Sequence, residues 1–102
     1  MEVKVITATN FEELAKGDQP LLLDFYANWC GPCRMLAPVI EEIAAEHTEL
    51  TVGKVNVDEE GALAAKFGIV SIPFVALMKN GEVVATSLGY RTKADLLAAL
   101  GI

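Results

Sequence analysis

Apolar and polar positions along the chain follow two periods in turn, about 2 and about 3.6 residues, and each switch marks the end of a predicted element. Val3 to Ile6 opens as a strand. Thr9 and Asn10, each with an acid three residues on at Glu12 and Glu13, are overlapping N-cap signals for a short helix that ends before Gly17. Leu21 to Ala27 is apolar on both faces except at Asp24, the pattern of a central strand covered by helices on both sides. From Cys33 to about His47, Leu36, Val39, Ile40 and Ile43 recur at helical spacing while Glu41, Glu42 and Glu46 take the other side, which predicts a long amphipathic helix. Pro38 lies inside it, removes a backbone hydrogen bond and crowds the carbonyl of Arg34, so a kink is expected there.

Thr51 to Val57 reads as the next strand, and Asp58-Glu59-Glu60 is expected to cap a helix through Phe67 with Gly68 as its left-handed stop. Pro73 precedes a buried strand, Phe74 to Lys79. Asn80-Gly81 signals a hairpin, because both central residues of that turn take positive φ, and Glu82 to Leu88 returns antiparallel. Thr92, with Asp95 three residues on, starts a closing helix that turns Leu96, Leu97 and Leu100 inward. The order βαβαβαββα predicts an α/β fold whose mixed sheet is parallel where crossovers join strands and antiparallel at the hairpin.

At 102 residues, 53% hydrophobic and 22% charged, the chain has enough apolar side chain to fold unaided and the length of one domain, spanning residues 1–102. No repeat or Gly/Ser/Pro-rich linker interrupts it. Eight Lys and Arg against 14 Asp and Glu give a net charge of −6, and the bases are scattered, so no nucleic-acid partner is expected. No apolar run approaches the roughly 18–20 residues that span a bilayer, so no membrane association is expected. The N-terminus lacks the basic stretch and apolar block of a secretory signal, which makes the cytoplasm the expected location.

Both cysteines lie in Trp29-Cys30-Gly31-Pro32-Cys33, after a strand and at the start of a helix. Two cysteines at this spacing suit a zinc half-site, a structural disulfide or a redox-active pair. The single histidine, His47, lies near the far end of the same helix, on the order of 20 Å away at about 1.5 Å rise per residue, so four zinc ligands are not in view and no metal is expected. A structural bridge across so short a loop adds little chain-entropy stabilisation. Redox chemistry fits best. A sulfur at a helix N-terminus meets unpaired backbone N–H groups and the positive end of the helix dipole, which favours the thiolate at Cys30. Cys33 lies three residues on, on the same helical face and within reach of a mixed disulfide formed at Cys30. Pro32 suits the first helical turn, and Gly31 leaves room for a substrate backbone.

This stretch resembles the thioredoxin family, whose active-site motif is Trp-Cys-Gly-Pro-Cys. The rest of the chain is similar in order: Asp24 in Leu23-Asp24-Phe25, Pro38, Lys54 and Asp58, Ile72-Pro73, Asn80-Gly81 and Gly89. The resemblance implies a five-stranded sheet in order 1-3-2-4-5 with four flanking helices. It implies Cys30 as exposed attacking thiolate, Cys33 as buried resolving thiol, and a cis peptide bond at Pro73 facing the disulfide. Gly-Pro between the cysteines resembles the reductants of the family, so reduction of protein disulfides is expected. The chain has no glycine-rich dinucleotide fingerprint and no bound cofactor is expected. Its electrons are expected from a partner, by resemblance a thioredoxin reductase using NADPH, and the chain is expected to act as a monomer.

Asp24 is a candidate proton acceptor for Cys33, acting through water, with a buried acid held by hydrogen bonds or an exposed strand position as the alternatives. Lys54, on the strand beside it, either biases that acid or is simply solvated. Trp29, Gly31, Pro32, Ile72, Pro73 and Gly89 are the candidate client-binding residues, with Ile72 offering its backbone to an extended segment. Asp58 reads as an N-cap, His47 as a dipole partner at the helix C-terminus, and Met35 and Phe67 as core. Phe74 stands where the family usually has threonine and Tyr26 where tryptophan is frequent. Two rival readings share these residues: an oxidase or isomerase using the same cysteines, and a binding module that holds a partner through Ile72-Pro73.

Overall fold

The structure, a computed structural model, describes residues 2–102. Met1, the first residue of the expected domain, lies outside the described residues. The elements are β1 (Lys4–Val5), α1 (Phe11–Ala15), β2 (Leu21–Tyr26), α2 (Gly31–Glu46), β3 (Thr51–Asn56), α3 (Gly61–Lys66), β4 (Phe74–Lys79), β5 (Glu82–Leu88) and α4 (Lys93–Leu100). The strands form one sheet in the order β1-β3-β2-β4-β5, as the resemblance implied. β3 runs parallel to β1 and β2, and β4 runs antiparallel to β2 and β5.

β2 sits at the centre, and Leu21 through Phe25 are all buried. Its side chains alternate between the two layers. Leu21, Leu23 and Phe25 pack with Ile6, Phe11, Ala15 and Leu63 on the side of α1 and α3. Leu22 packs with Leu36, Ile40 and Ile43 of α2 and with Leu96 and Leu100 of α4. Each fully buried Leu, Ile or Phe among them stabilises the fold by about 1.5–3 kcal/mol. At Gly53 a Cβ would run into the side chain of Ile6, so glycine is what lets Ile6, the residue after β1, lie against β3.

The helix ends show where local signals were outvoted. α2 starts at Gly31, two residues before the expected Cys33, because Cys30 takes the N-cap: its φ is −90°, and its Sγ accepts the Cys33 N–H at 3.2 Å. The helix continues through Pro38 to Glu46. Asp58 is not an N-cap. That position falls to Glu60, which makes no side-chain cap, while Asn56 Oδ1 accepts the N–H groups of Asp58 (2.9 Å) and Glu59 (3.3 Å) and frees the Asp58 carboxylate. Asn10 caps α1 in position only; its amide turns back to the Thr7 N–H and the Val5 carbonyl. Thr92 does cap α4, its Oγ1 accepting the Asp95 N–H at 3.2 Å, and Gly101 ends the helix in the left-handed region. The hairpin turn has positive φ at both Asn80 and Gly81, as expected.

His47 takes the C-cap of α2 with its ring 3.0 Å from the Glu49 carboxylate. Phe67 is half-buried between Phe11 and Phe25. Met35 is not core: it is 61% exposed. Two residues beyond Cys33, at about 100° per residue, it points away from the face that carries Cys33, Leu36 and Ile40.

Candidate active site

The loop after β2 delivers the cysteines to the start of α2, where the Cys30 N–H donates to the Ala27 carbonyl at 3.2 Å and the Arg34 N–H to the Cys30 carbonyl at 3.2 Å. Cys30 and Cys33 are joined in a disulfide, with Cα atoms 5.2 Å apart. The resemblance implied an exposed Cys30. In this disulfide form both residues are buried, Cys30 at 5% and Cys33 at 3% exposure, because they pack with Ala27, Tyr26, Val57 and Ile72. Cys30 Sγ lies 3.9 Å from the Ile72 carbonyl oxygen. The Ile72–Pro73 bond is cis, as implied, and the Gly89 N–H donates to the Pro73 carbonyl at 2.8 Å.

Behind Cys33, a cavity of about 170 Å³ is lined by Asp24, Tyr26, Asn28, Cys33, Arg34 and Lys54 among others. Asp24 is 4% exposed, so of its sequence alternatives the buried acid stands. Among the described residues its Oδ1 has no hydrogen-bond partner. Burial pushes the Asp24 carboxyl up from the usual 3.8 to about 7, against the opposing pull of the Lys54 cation. Such a group exchanges protons near neutral pH. Lys54 is the register partner of Asp24 on β3, yet among the described residues it makes no ion pair; its Nζ stands 5.8 Å from the centroid of the Tyr26 ring. The Arg34 guanidinium is tied to the Asn28 carbonyl at 2.9 Å.

Trp29 is 69% exposed, and its indole N–H donates to the Asp58 carboxylate at 2.9 Å. Pro32 is exposed, Gly31, Ile72 and Gly89 are half-buried, and Pro73 is buried. Sequence reasoning missed the Trp29–Asp58 bond and the parts played by Asn28, Arg34 and Asn56. Asp58 had a signal, an acid ahead of a helix, that pointed to a different job. A larger cavity, about 540 Å³, lies on the α1 and α3 side against Phe11, Phe67, Phe74 and Met78. It contains neither cysteine nor Asp24, so size alone does not locate the chemistry. Among the described residues no three His, Cys, Asp or Glu side chains are grouped to hold a metal ion, and no helix is long and apolar enough to cross a membrane.

The sequence profile of the thioredoxin family matches residues 2–101. The chain belongs to the thioredoxin family. It is 49% identical over 96 residues to a thioredoxin of Alicyclobacillus acidocaldarius, covering 93% of this chain and 91% of that one. The solved structure of Plasmodium falciparum thioredoxin superposes with a TM-score of 0.90 at 34% identity, covering 97% of each chain. A Mycobacterium leprae protein named bifunctional thioredoxin reductase/thioredoxin is 43% identical over 99 residues, which are 96% of this chain and 22% of that protein. Family and disulfide together make the chain a protein-disulfide oxidoreductase, a carrier that exchanges electrons through Cys30 and Cys33.

Proposed function

We propose that residues 1–102 act as one monomeric domain in the cytoplasm, reducing client disulfides by two successive exchanges in which each side chain has one role. The Cys30 thiolate attacks a client sulfur, forming a mixed disulfide and releasing one client thiolate. The Cys33 thiol gives its proton, through water in the cavity, to the Asp24 carboxylate and attacks Cys30 Sγ. The Cys30–Cys33 bond forms, the mixed disulfide breaks, and the second client sulfur leaves as a thiolate that takes up a proton. Two electrons pass to the client, and no bound cofactor or metal takes part.

The observation that carries this reading is the buried Asp24 carboxyl, its Oδ1 without a partner among the described residues, lining the same cavity as Cys33 and pushed up to about 7 by burial. Lys54 moderates that carboxyl. Trp29, Gly31, Pro32, Ile72 and Gly89 form the client surface, and Pro73 shapes it from beneath by directing the Ile72 backbone beside Cys30. The disulfide is returned to the dithiol by a thioredoxin reductase drawing on NADPH, which places the chain in electron transport; the reductase name borne by the Mycobacterium leprae relative supports that pairing.

Insulin reduction by dithiothreitol tests the scheme. The parent protein is expected to accelerate insulin precipitation and a Cys30→Ser variant to leave it at the uncatalysed rate. Equal acceleration by both would remove Cys30 from the attacking role, and no acceleration by either would favour a partner-holding role for the Ile72-Pro73 surface.

A further inference from the structure

Asp24 and Lys54 face each other directly across β2 and β3, and Tyr26 is the next residue on the same face of β2, diagonal to Lys54. Neighbouring strands lie about 4.8 Å apart, so a four-carbon lysine side chain reaches an adjacent carboxylate with ease. Here it does not. Asp24 Oδ1 is left without a partner, and the ammonium stands 5.8 Å from the Tyr26 ring centroid, inside the roughly 6 Å range of a cation–π contact. Both side chains line the Asp24 cavity.

We infer that Tyr26 is a positioning residue: its ring holds the Lys54 ammonium at the mouth of the Asp24 cavity and short of an ion pair with Asp24. The inference rests on the reading of Asp24 as proton acceptor and says how that acid is kept fit for the task. A cation in contact lowers a carboxyl by about 1–3 pH units, which would leave Asp24 a poor base at neutral pH. A cation held across the cavity exerts a weaker pull, and burial keeps the upper hand. Among the described residues, the titratable side chains lining the Asp24 cavity besides Lys54 and Tyr26 are Arg34 and Cys33. Arg34, from α2, is tethered to the Asn28 carbonyl, Cys33 is in the disulfide, and β4 presents Val75. Among the described residues Lys54 makes no ion pair, and its ammonium stands against the Tyr26 ring.

The test is NMR titration of the Asp24 carboxyl in the disulfide form, where no thiol chemistry intervenes. In Tyr26→Leu the ammonium is free to close on Asp24, and the midpoint is expected to fall by about one pH unit, a tenfold change in the proton equilibrium. Tyr26→Phe keeps the ring and is expected to hold the parent midpoint. In a Lys54→Met background the midpoint rises, and adding Tyr26→Leu is expected to bring no fall, since the ring acts through the lysine. An equal fall with and without Lys54 would overturn the inference by showing that the ring merely excludes water, and so would no fall in Tyr26→Leu. If Tyr26→Leu does not fold, the unaltered chain decides: the Lys54 ε-methylene protons are expected upfield under the ring current, and their ordinary position would overturn it. The proton-acceptor reading fails separately, through an Asp24→Asn variant that resolves mixed disulfides at the parent rate.

Discussion

The two faces of β2 are built to opposite rules. Leu21, Leu23 and Phe25 enter a layer with Phe11, Phe67 and Leu63 that, among the described residues, contains none of the buried polar side chains. The other face begins the same way, with Leu22 against Leu36, Ile40 and Ile43, but then buries Asp24. Farther along the same row, across Val75, it buries Ser87, whose Oγ is also without a partner. One layer is optimised for packing. The second carries unpartnered polar groups at the end of the sheet where the cysteines sit, and that local loss of stability is what supplies a titratable group near neutrality.

Substitutions on each face sharpen the contrast, all read from the urea midpoint at constant slope. The largest effect is expected on the packed face: Phe25→Ala removes a fully buried ring and costs about 3–5 kcal/mol. An unchanged midpoint would mean that this layer is not the main source of stability. On the other face the sign reverses. Asp24 rises from 3.8 unfolded to about 7 folded, so the folded state holds the proton more tightly and stability falls as pH climbs through that window. At about 1.4 kcal/mol per pH unit the penalty approaches a ceiling of about 4 kcal/mol above pH 7 and vanishes below about pH 4. Asp24→Asn is therefore expected to be more stable than the parent at pH 8, to match it at pH 3.5, and to reduce insulin more slowly. A pH-independent difference would place the effect in packing. The smallest effect is expected at Ser87→Ala, a gain of about 1 kcal/mol from removing an unpaired hydroxyl; a loss would show that the hydroxyl is satisfied in solution.

Much of this arrangement was visible in the sequence. The run Leu21 to Phe25 announces a doubly covered strand because both layers draw on it, and Asp24 stands out because nothing else in the run is charged. Asn80-Gly81 and Thr92 worked as local signals, since each acts within four residues of itself. Signals failed where a partner from elsewhere competed. Asp58 looked like a cap until Asn56 took that role and Trp29 took its carboxylate. Met35 reads as core by its apolar side chain alone, and its angle around α2 turns it to solvent.

The sequence by itself determined the strands and helices, their order, the cysteine pair at a helix start and the lone acid in a central strand, because periodicity, caps and turns depend on near neighbours in the chain. Only the tertiary structure decided that Cys30 is buried in the disulfide, that Asp24 shares a cavity with Cys33, and that Lys54 stands over Tyr26 and not on Asp24. Which atoms go unpaired, which side chains share a cavity and how far a cation stands from a carboxylate are set by what other segments bring alongside, and no local pattern encodes them.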